Sequence, residues 1–178
     1  NGNPVANAPQ YQAYPKACPD GEGGIIMVWQ DKRLSDYEDI FAQRFDNYGR
    51  PLWGPDGIVV CDETSIQSHP RIAPDGQGGA VMVWWDQRNG GSEIYAQRID
   101  PNGTAVWATD GVRIFSYTWS VDYYDIDGDG FGGALITWND MHGDFSNQRV
   151  YAQRLAAANG NRLWGEDGME ACTQVSQQ

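Results

Sequence analysis

The hydrophobic and polar positions of this chain follow the pattern of β-strands, and no segment shows a helical period. The run GGAVMVWWD (78–86) is apolar at nearly every position, as expected for a strand that is covered on both faces. The run EIYAQRID (93–100) alternates instead, and neither of its two faces is purely polar. We therefore expect both segments to be strands that lie between two layers.

Both runs recur along the chain. Tripeptide AQR stands at 42–44, 96–98 and 152–154, each time after a segment of the type DGxGGxxxxWxD, and the Trp residues of these segments are 55 and 54 positions apart. Turn sequences such as DNYG (46–49) and DPNG (100–103) follow the AQR runs. This spacing predicts an all-β protein of three units of about 54 residues, each with about four antiparallel strands.

The repeat also predicts the domain organisation. We expect a lead-in over 1–11, which lacks any apolar period, and then units over 12–62, 63–116 and 117–178 in one continuous repeat domain. A chain that opens NGNPVANAP without Met indicates a mature N-terminus after processing of a secreted protein. No apolar run approaches the roughly 18 residues of a membrane span, so we expect no membrane insertion.

The motif DGxGGxxxxWxD…AQRxDxxGxxxW resembles the blade repeat of large secreted or surface-attached bacterial β-propeller proteins, and the resemblance covers residues 12–172. It implies three tandem four-stranded antiparallel propeller-type blades and a location outside the cell or on its surface. The third unit departs from the pattern. It contains DIDGDG (125–130), carries Met141 and His142 where the others have a basic pair or Gln-Arg, and lacks the Asp after Leu155.

Charge excludes some partners. The chain has 24 acidic against 12 basic residues, a net charge of −12. Nucleic acid requires clustered Lys and Arg, and anionic membrane surfaces would repel this chain. Divalent cations, cationic partners and neutral glycans remain compatible with this composition.

The recurring AQR motif is most simply explained by packing, because residues repeated in every unit serve what every unit needs. An Arg buried without a partner would be costly, so we expect each to pair with the Asp two positions after the unit's Trp. We expect the Gln to bond backbone groups of a neighbouring strand. The alternative is a binding pocket repeated in each unit. The predicted inter-blade residues are Arg44, Arg98, Arg154, Asp31, Asp86 and Asp140.

Features that break the repeat are better candidates for function. In DIDGDG, carboxylates at every second position could converge on Ca²⁺. The predicted ligands are Asp125, Asp127 and Asp129. An EF-hand would need Glu at the twelfth position, which is Ile136, so this loop is not an EF-hand. A solvated acidic turn is the alternative.

An aromatic patch at the passage from unit 2 to unit 3 could stack on a glycan, although inter-blade core is the alternative interpretation. Its residues are Trp85, Tyr117, Trp119, Tyr123 and Tyr124. The cysteines show no metal-binding or redox spacing.

The sequence favours a non-enzymatic structural or interaction protein. The chain ends where a further entry strand would begin, and three blades are fewer than the four to eight of closed propellers. We therefore expect a homo-oligomer, associated head to tail into a ring or a filament, with a disulfide between Cys18 and Cys172 of successive copies as a candidate lock. A fragment of a longer propeller, or three blades that pack together differently as a monomer, are the alternatives to this assembly. A lectin-like, calcium-dependent carbohydrate-binding module and a glycosidase-type propeller enzyme are the alternatives, although no catalytic signature is present.

Overall fold

The fold consists of β-strands joined by turns. A computed structural model describes residues 4–116, 121, 123–140 and 149–171. Over these ranges there are twelve strands and no helix, which confirms the prediction of an all-β protein. The described residues accordingly include no helix that is long and apolar enough to cross a membrane.

The strands form three four-stranded antiparallel sheets, each of four consecutive strands in chain order. Repeat 1 contains β1 (Gln12–Pro19), β2 (Ile25–Asp31), β3 (Asp39–Phe45) and β4 (Ile58–Cys61). Repeat 2 contains β5 (Gln67–Pro74), β6 (Ala80–Asp86), β7 (Glu93–Ile99) and β8 (Val112–Arg113). Repeat 3 contains β9 (Tyr123–Gly128), β10 (Ala134–Asp140), β11 (Arg149–Leu155) and β12 (Met169–Glu170). None of these sheets closes on itself.

The two central strands of each repeat form a regular hairpin. In repeat 2, Trp84 of β6 lies opposite Tyr95 of β7, and Val81 lies opposite Arg98. All seven residues of β7 are buried, as expected for a strand between two layers.

The first strands differ between repeats. In β1 and β5 the register with the next strand shifts at Tyr14 and His69, each of which precedes a Pro and has φ of 54°. In β9 the pairing is continuous. A non-glycine residue at positive φ inside a strand is uncommon, and the shift re-aims its side chain.

The core lies between the repeats. One hydrophobic cluster joins Val28 and Ile40 of repeat 1 to Met82 and Trp84 of repeat 2. A second cluster joins β6 and β7 to β10 and β11. Among the first strands, β5 also lies next to both β1 and β9. Repeat 2 is therefore covered on both faces, whereas repeats 1 and 3 are each covered on one face by another repeat.

Candidate functional site

Each repeat has the same turn between its first and second strands, and an Asp organises it. Asp75 donates its backbone N–H to the carbonyl of Gly79 at 3.1 Å. Its Oδ1 accepts the backbone N–H groups of Gln77 and Gly79 at 2.7 and 2.9 Å. Asp20 and Asp129 make the equivalent bonds in repeats 1 and 3. The second carboxylate oxygen, Oδ2, remains available to another donor.

That donor is the Arg of the AQR motif. Arg98 donates from Nε to Oδ2 of Asp75 at 2.9 Å, and its Nη2 lies 2.8 Å from the same oxygen. Arg44 pairs with Asp20 in the same way, and Arg154 pairs with Asp129. The predicted pairing of these arginines with Asp31, Asp86 and Asp140 is therefore wrong.

Hairpin geometry explains the correction. Arg98 lies opposite Val81 at the start of β6, whereas Asp86 stands at its end. At about 3.3 Å per residue, the five steps along β6 from Val81 to Asp86 separate them by roughly 17 Å. The turn that precedes β6, with Asp75, lies within reach of Arg98 instead.

The Asp residues at the strand ends bond other groups. Asp86 accepts the indole N–H of Trp84 at 2.9 Å and Nη2 of Arg88 at 2.6 Å, and this guanidinium lies 4.0 Å from the ring centre of Tyr95. Asp31 makes the same bonds to Trp29 and Arg33 in repeat 1. Asp140, at the equivalent position of repeat 3, is buried as well.

The AQR arginine also reaches the next repeat. Arg98 Nη1 donates to the carbonyl of Ala157 at 3.1 Å, and the indole N–H of Trp107 donates to the same carbonyl at 3.0 Å. Between repeats 1 and 2, Arg44 and Trp53 converge in the same way on the carbonyl of Pro101, at 3.1 and 3.0 Å. We call this arrangement the inter-repeat joint: an Arg and a Trp of one repeat that share one backbone carbonyl in the turn after the third strand of the next.

A glycine completes the acceptor side of each joint. A Cβ on Gly103 would lie 2.9 Å from Cδ1 of Trp53, and one on Gly160 would lie 2.8 Å from Cδ2 of Trp107. Both glycines also have positive φ, 87° and 70°. Only glycine satisfies both the conformation and the close approach of the indole.

The Gln of AQR positions the Trp. Gln97 accepts the backbone N–H of Trp107 at 3.0 Å and donates to the carbonyl of Ala108 at 2.7 Å. Gln43 and Gln153 bond the equivalent backbone groups. These amides bond backbone groups as expected, but the groups lie in the loop between the third and fourth strands of the same repeat and not on a neighbouring strand. The sequence analysis assigns no role to Trp53, Trp107 and Trp164, although their recurrence at spacings of 54 and 57 residues is a signal that can identify them.

In repeat 3 the donor half of a joint has no acceptor from a further repeat among the described residues. The Arg154 side chain is 39% exposed, against 10% for Arg98. Trp164 is partly exposed, whereas Trp53 and Trp107 are buried. Within the described ranges, no carbonyl of another repeat accepts a bond from Arg154 or Trp164.

In repeat 1 the acceptor half of a joint has no donor from a preceding repeat among the described residues. Asn47 and Gly49 correspond to Pro101 and Gly103, and a Cβ on Gly49 would meet nothing within 4 Å. Both residues line a hollow of about 560 Å³, together with Ile25 and Met27 of β2. In repeats 2 and 3 the equivalent place is filled by the Trp of the preceding repeat.

Ionisation supports the Asp–Arg pairs. Burial opposes ionisation of Asp20 and Asp129, but hydrogen bonds from their backbone N–H partners and from Arg44 and Arg154 outweigh it. The pKa of both carboxyls lies below its ordinary value. Both pairs are therefore charged at neutral pH.

Repeat 1 also contains a buried carboxyl without a cation. Asp39 lies opposite Asp31 across the β2–β3 hairpin, and no hydrogen bond satisfies its Oδ2. Burial raises the pKa of Asp39 to about 6, and the charges of Asp62, Asp31 and Glu38 add to this effect. At the same position of repeat 2, Glu93 forms an ion pair with Arg113, with 2.6 Å between Oε1 of Glu93 and Nη2 of Arg113.

The acidic loop places its predicted calcium ligands in two settings. Asp129 is engaged by Arg154 and by the turn, whereas Asp125 and Asp127 are exposed on β9, each with Oδ1 bonded to the following backbone N–H. Over the described ranges, no group of three or more acidic, His or Cys side chains is placed to hold a metal ion. Calcium binding by Asp125, Asp127 and Asp129 stays a prediction; of the three, Asp125 and Asp127 are the exposed carboxylates that Arg154 does not engage.

The predicted aromatic patch is only partly described. Trp85 and Tyr124 have ring centres 5.7 Å apart, and buried Tyr124 donates its hydroxyl to the carbonyl of His69. Tyr123, the neighbouring residue on β9, is exposed. Tyr117 and Trp119 lie outside the described residues. Tyr123 and Tyr124 therefore do not share one exposed surface.

Of the two predicted disulfide partners, the structure describes Cys18 but not Cys172. Cys18 is a buried thiol in β1, and burial, with the charges of Asp75 and Asp20, raises its pKa to about 12. Such a thiol reacts slowly, because thiolate is the reactive form. Cys172 lies outside the described residues, so the disulfide stays a prediction.

Comparison of the chain with models of known protein families and with curated protein sequences found no match. The resemblance to propeller blades therefore rests on the repeated motif itself. The half joints on repeats 1 and 3 are the features from which a function can be argued.

Proposed function

We propose that this chain is a non-enzymatic extracellular protein of propeller-type repeats that associates head to tail with further copies of itself. In this proposal, repeat 3 of one copy joins repeat 1 of the next as repeats 1 and 2 are joined within the chain. The observation that carries it is the pair of half joints: donors Arg154 and Trp164 at one end, and an acceptor turn with Gly49 at the other.

Apolar exposure supports the same pairing. Ile25 of β2 is 42% exposed, while Ala80, its equivalent in repeat 2, is 0% exposed because repeat 1 covers it. On the opposite face, Val150 of β11 is 48% exposed, while Ile94 is 0% exposed under repeat 3. The two uncovered faces are thus the same two surfaces that pack together inside the chain, and burying them would be favourable.

The internal joints define the contact. Trp164 would enter the hollow of about 560 Å³ and lie on Gly49, where its indole N–H and Arg154 would both donate to the carbonyl of Asn47. Pro4 and Val5 line the same hollow, so they would pack against the incoming Trp.

The contact is heterologous, because the two faces differ, and such contacts build closed rings or open filaments. Stacked four-stranded sheets with adjacent first strands are what a propeller contains, so two copies could form a six-bladed ring. The extracellular location rests on the resemblance of the repeat motif to blades of secreted and surface-attached bacterial proteins.

Light scattering during size-exclusion chromatography of the full chain tests the proposal. We expect a mass above 19.8 kDa that increases with concentration. Trp164→Ala should return the protein to the monomer without unfolding it, because this indole contacts no following repeat within the described residues.

A matched pair of glycine variants tests the acceptor side. Gly49 and Gly90 both have positive φ in short turns, and a Cβ at either meets nothing within 4 Å. Asn tolerates this conformation. Gly49→Asn should therefore weaken association, and Gly90→Asn should not. A wild-type chain that stays monomeric at every accessible concentration would contradict the proposal.

A further inference from the structure

A second concave site lies away from the half joints, between the first strands of repeats 1 and 2. It is a cleft of about 550 Å³. Two half-exposed aromatic rings, Tyr11 and Tyr14, stand at its wall. The Tyr14 ring lies 4.5 Å from the ring of His69, which in turn lies 4.6 Å from Trp85. The described core and joints do not use the exposed faces of Tyr11 and Tyr14.

Backbone strain holds two of these rings in place. Tyr14 and His69 both have φ of 54° at the register shifts of β1 and β5, a conformation that costs about 1–3 kcal/mol for a residue with a side chain. The equivalent Tyr123 of β9 stands in a continuous ladder. The cleft is thus formed where the chain adopts a strained conformation.

Polar groups of the cleft are hydrogen-bonding but carry no net charge. Lys32 and Glu38 form an ion pair at 3.2 Å, so their charges cancel. The backbone N–H of His69 donates to Oε1 of the buried Gln30, and no described group bonds the Nε2 of this amide. Ser68 adds a hydroxyl to the lining.

From these features we infer that the cleft binds a neutral saccharide. Exposed aromatic faces stack on the apolar faces of sugar rings, and amide, hydroxyl and paired charged groups bond sugar hydroxyls. An anionic ligand would be repelled by a chain of net charge −12, and the described lining of the cleft offers no unpaired carboxylate to a cation. This site is distinct from the aromatic patch predicted from sequence, since it uses Tyr11 and Tyr14.

Titration calorimetry with neutral hexasaccharides of glucose, mannose, galactose, xylose and N-acetylglucosamine tests the inference, with polygalacturonate as the acidic comparator. We expect at least one neutral probe to bind and polygalacturonate not to bind. Tyr14→Gly removes the ring and relieves the positive φ, so the variant should fold and bind the probe at least about tenfold more weakly. Tyr11→Ala, which alters no strained residue, should have a similar effect.

Tyr123→Ala is the matched control, because this exposed Tyr stands six residues before its turn Asp, as Tyr14 does, and does not line the cleft, so its loss should leave affinity unchanged. Trp164→Ala should also bind normally, which separates this site from the proposed association. Failure of every neutral probe, binding of the acidic probe alone, or loss of binding in Tyr123→Ala with Tyr14→Gly unaffected would overturn the inference.

Discussion

Arg98 and Arg154 occupy the same position of the same motif, yet their surroundings differ. Arg98 bonds Asp75, Gln77 and the carbonyl of Ala157, and its side chain is 10% exposed. Arg154 keeps the bond to its turn Asp but is 39% exposed. A residue's contribution to stability therefore depends on whether a further repeat covers it.

This difference predicts unequal losses on substitution. Arg98→Ala would leave Asp75 buried and uncompensated, which should lower the free energy of unfolding by about 3–5 kcal/mol. Arg154→Ala removes a partly exposed pair and should cost roughly 1 kcal/mol or less. Urea unfolding at concentrations low enough for the monomer measures both, and equal losses would contradict the assignment of the joint.

Asp39 predicts a pH dependence. Because its pKa is raised to about 6, the folded state binds more protons than the unfolded state between the ordinary value of 3.8 and 6. Its stabilising effect is therefore complete below the ordinary pKa and is lost as pH rises through about 6, by at most about 1.4 kcal/mol per pH unit. Asp39→Asn should abolish this loss and be more stable than wild type at pH 8.

Glu93→Gln is the control for this effect. Glu93 stands at the same hairpin position but has Arg113 as a cation, so its neutral variant should gain no stability at pH 8. Urea titrations from pH 4 to pH 8 compare the variants. An identical pH profile for wild type and Asp39→Asn would show that Asp39 titrates normally.

At the scale of strands, the sequence predicted the architecture well and the side-chain pairing less well. The repeated motif and its hydrophobic pattern are enough to predict three all-β units, because the same pattern of apolar and polar positions recurs in each unit. The partner of the AQR arginine depends in addition on the antiparallel direction of the β6–β7 hairpin. Asp86 and Glu93 flank its loop at 87–92, so Arg98 lies at the far end of the hairpin, beside the turn of Asp75 and not beside Asp86. The shared carbonyl acceptors could not be predicted, because every residue has a carbonyl.

The acidic residues of β9 and of the turn that follows it lead to a prediction about calcium removal. If Asp125 and Asp127 bind Ca²⁺, a chelator should lower the melting temperature by a few degrees, and Asp127→Ala should remove that sensitivity. Asp129→Ala should destabilise the chain equally with and without chelator, because it breaks the turn and the pair with Arg154. If the melting temperature of the wild type is the same with and without chelator, Asp125 and Asp127 are solvated surface residues that bind no calcium.

As a whole molecule, the chain is a linear stack in which each repeat contacts its neighbours. In such stacks stability is approximately a sum over repeats and interfaces, so the uncovered ends contribute least. Association of ends would add one interface per copy. The contact between copies should therefore appear as a stability that increases with protein concentration.

Thermal unfolding at several concentrations measures this effect. The wild-type melting temperature should rise by a few degrees over a hundredfold range of concentration, about the effect of one further interface. Trp164→Ala should melt at one temperature throughout, close to that of the dilute wild type. A wild-type melting temperature that does not change with concentration would show that no contact between copies stabilises the fold.

The acceptor of each joint is a main-chain carbonyl, supplied by Pro101 in one repeat and by Ala157 in another. Mutation of that residue to another amino acid leaves the carbonyl in place, provided that the turn keeps its shape. The turn of repeat 3 has indeed lost the Asp present in the other two and still accepts both bonds. Apart from its glycine, the acceptor half of every joint is thus nearly insensitive to sequence drift, so newly duplicated repeats could diverge at the other positions of that turn and remain interchangeable neighbours.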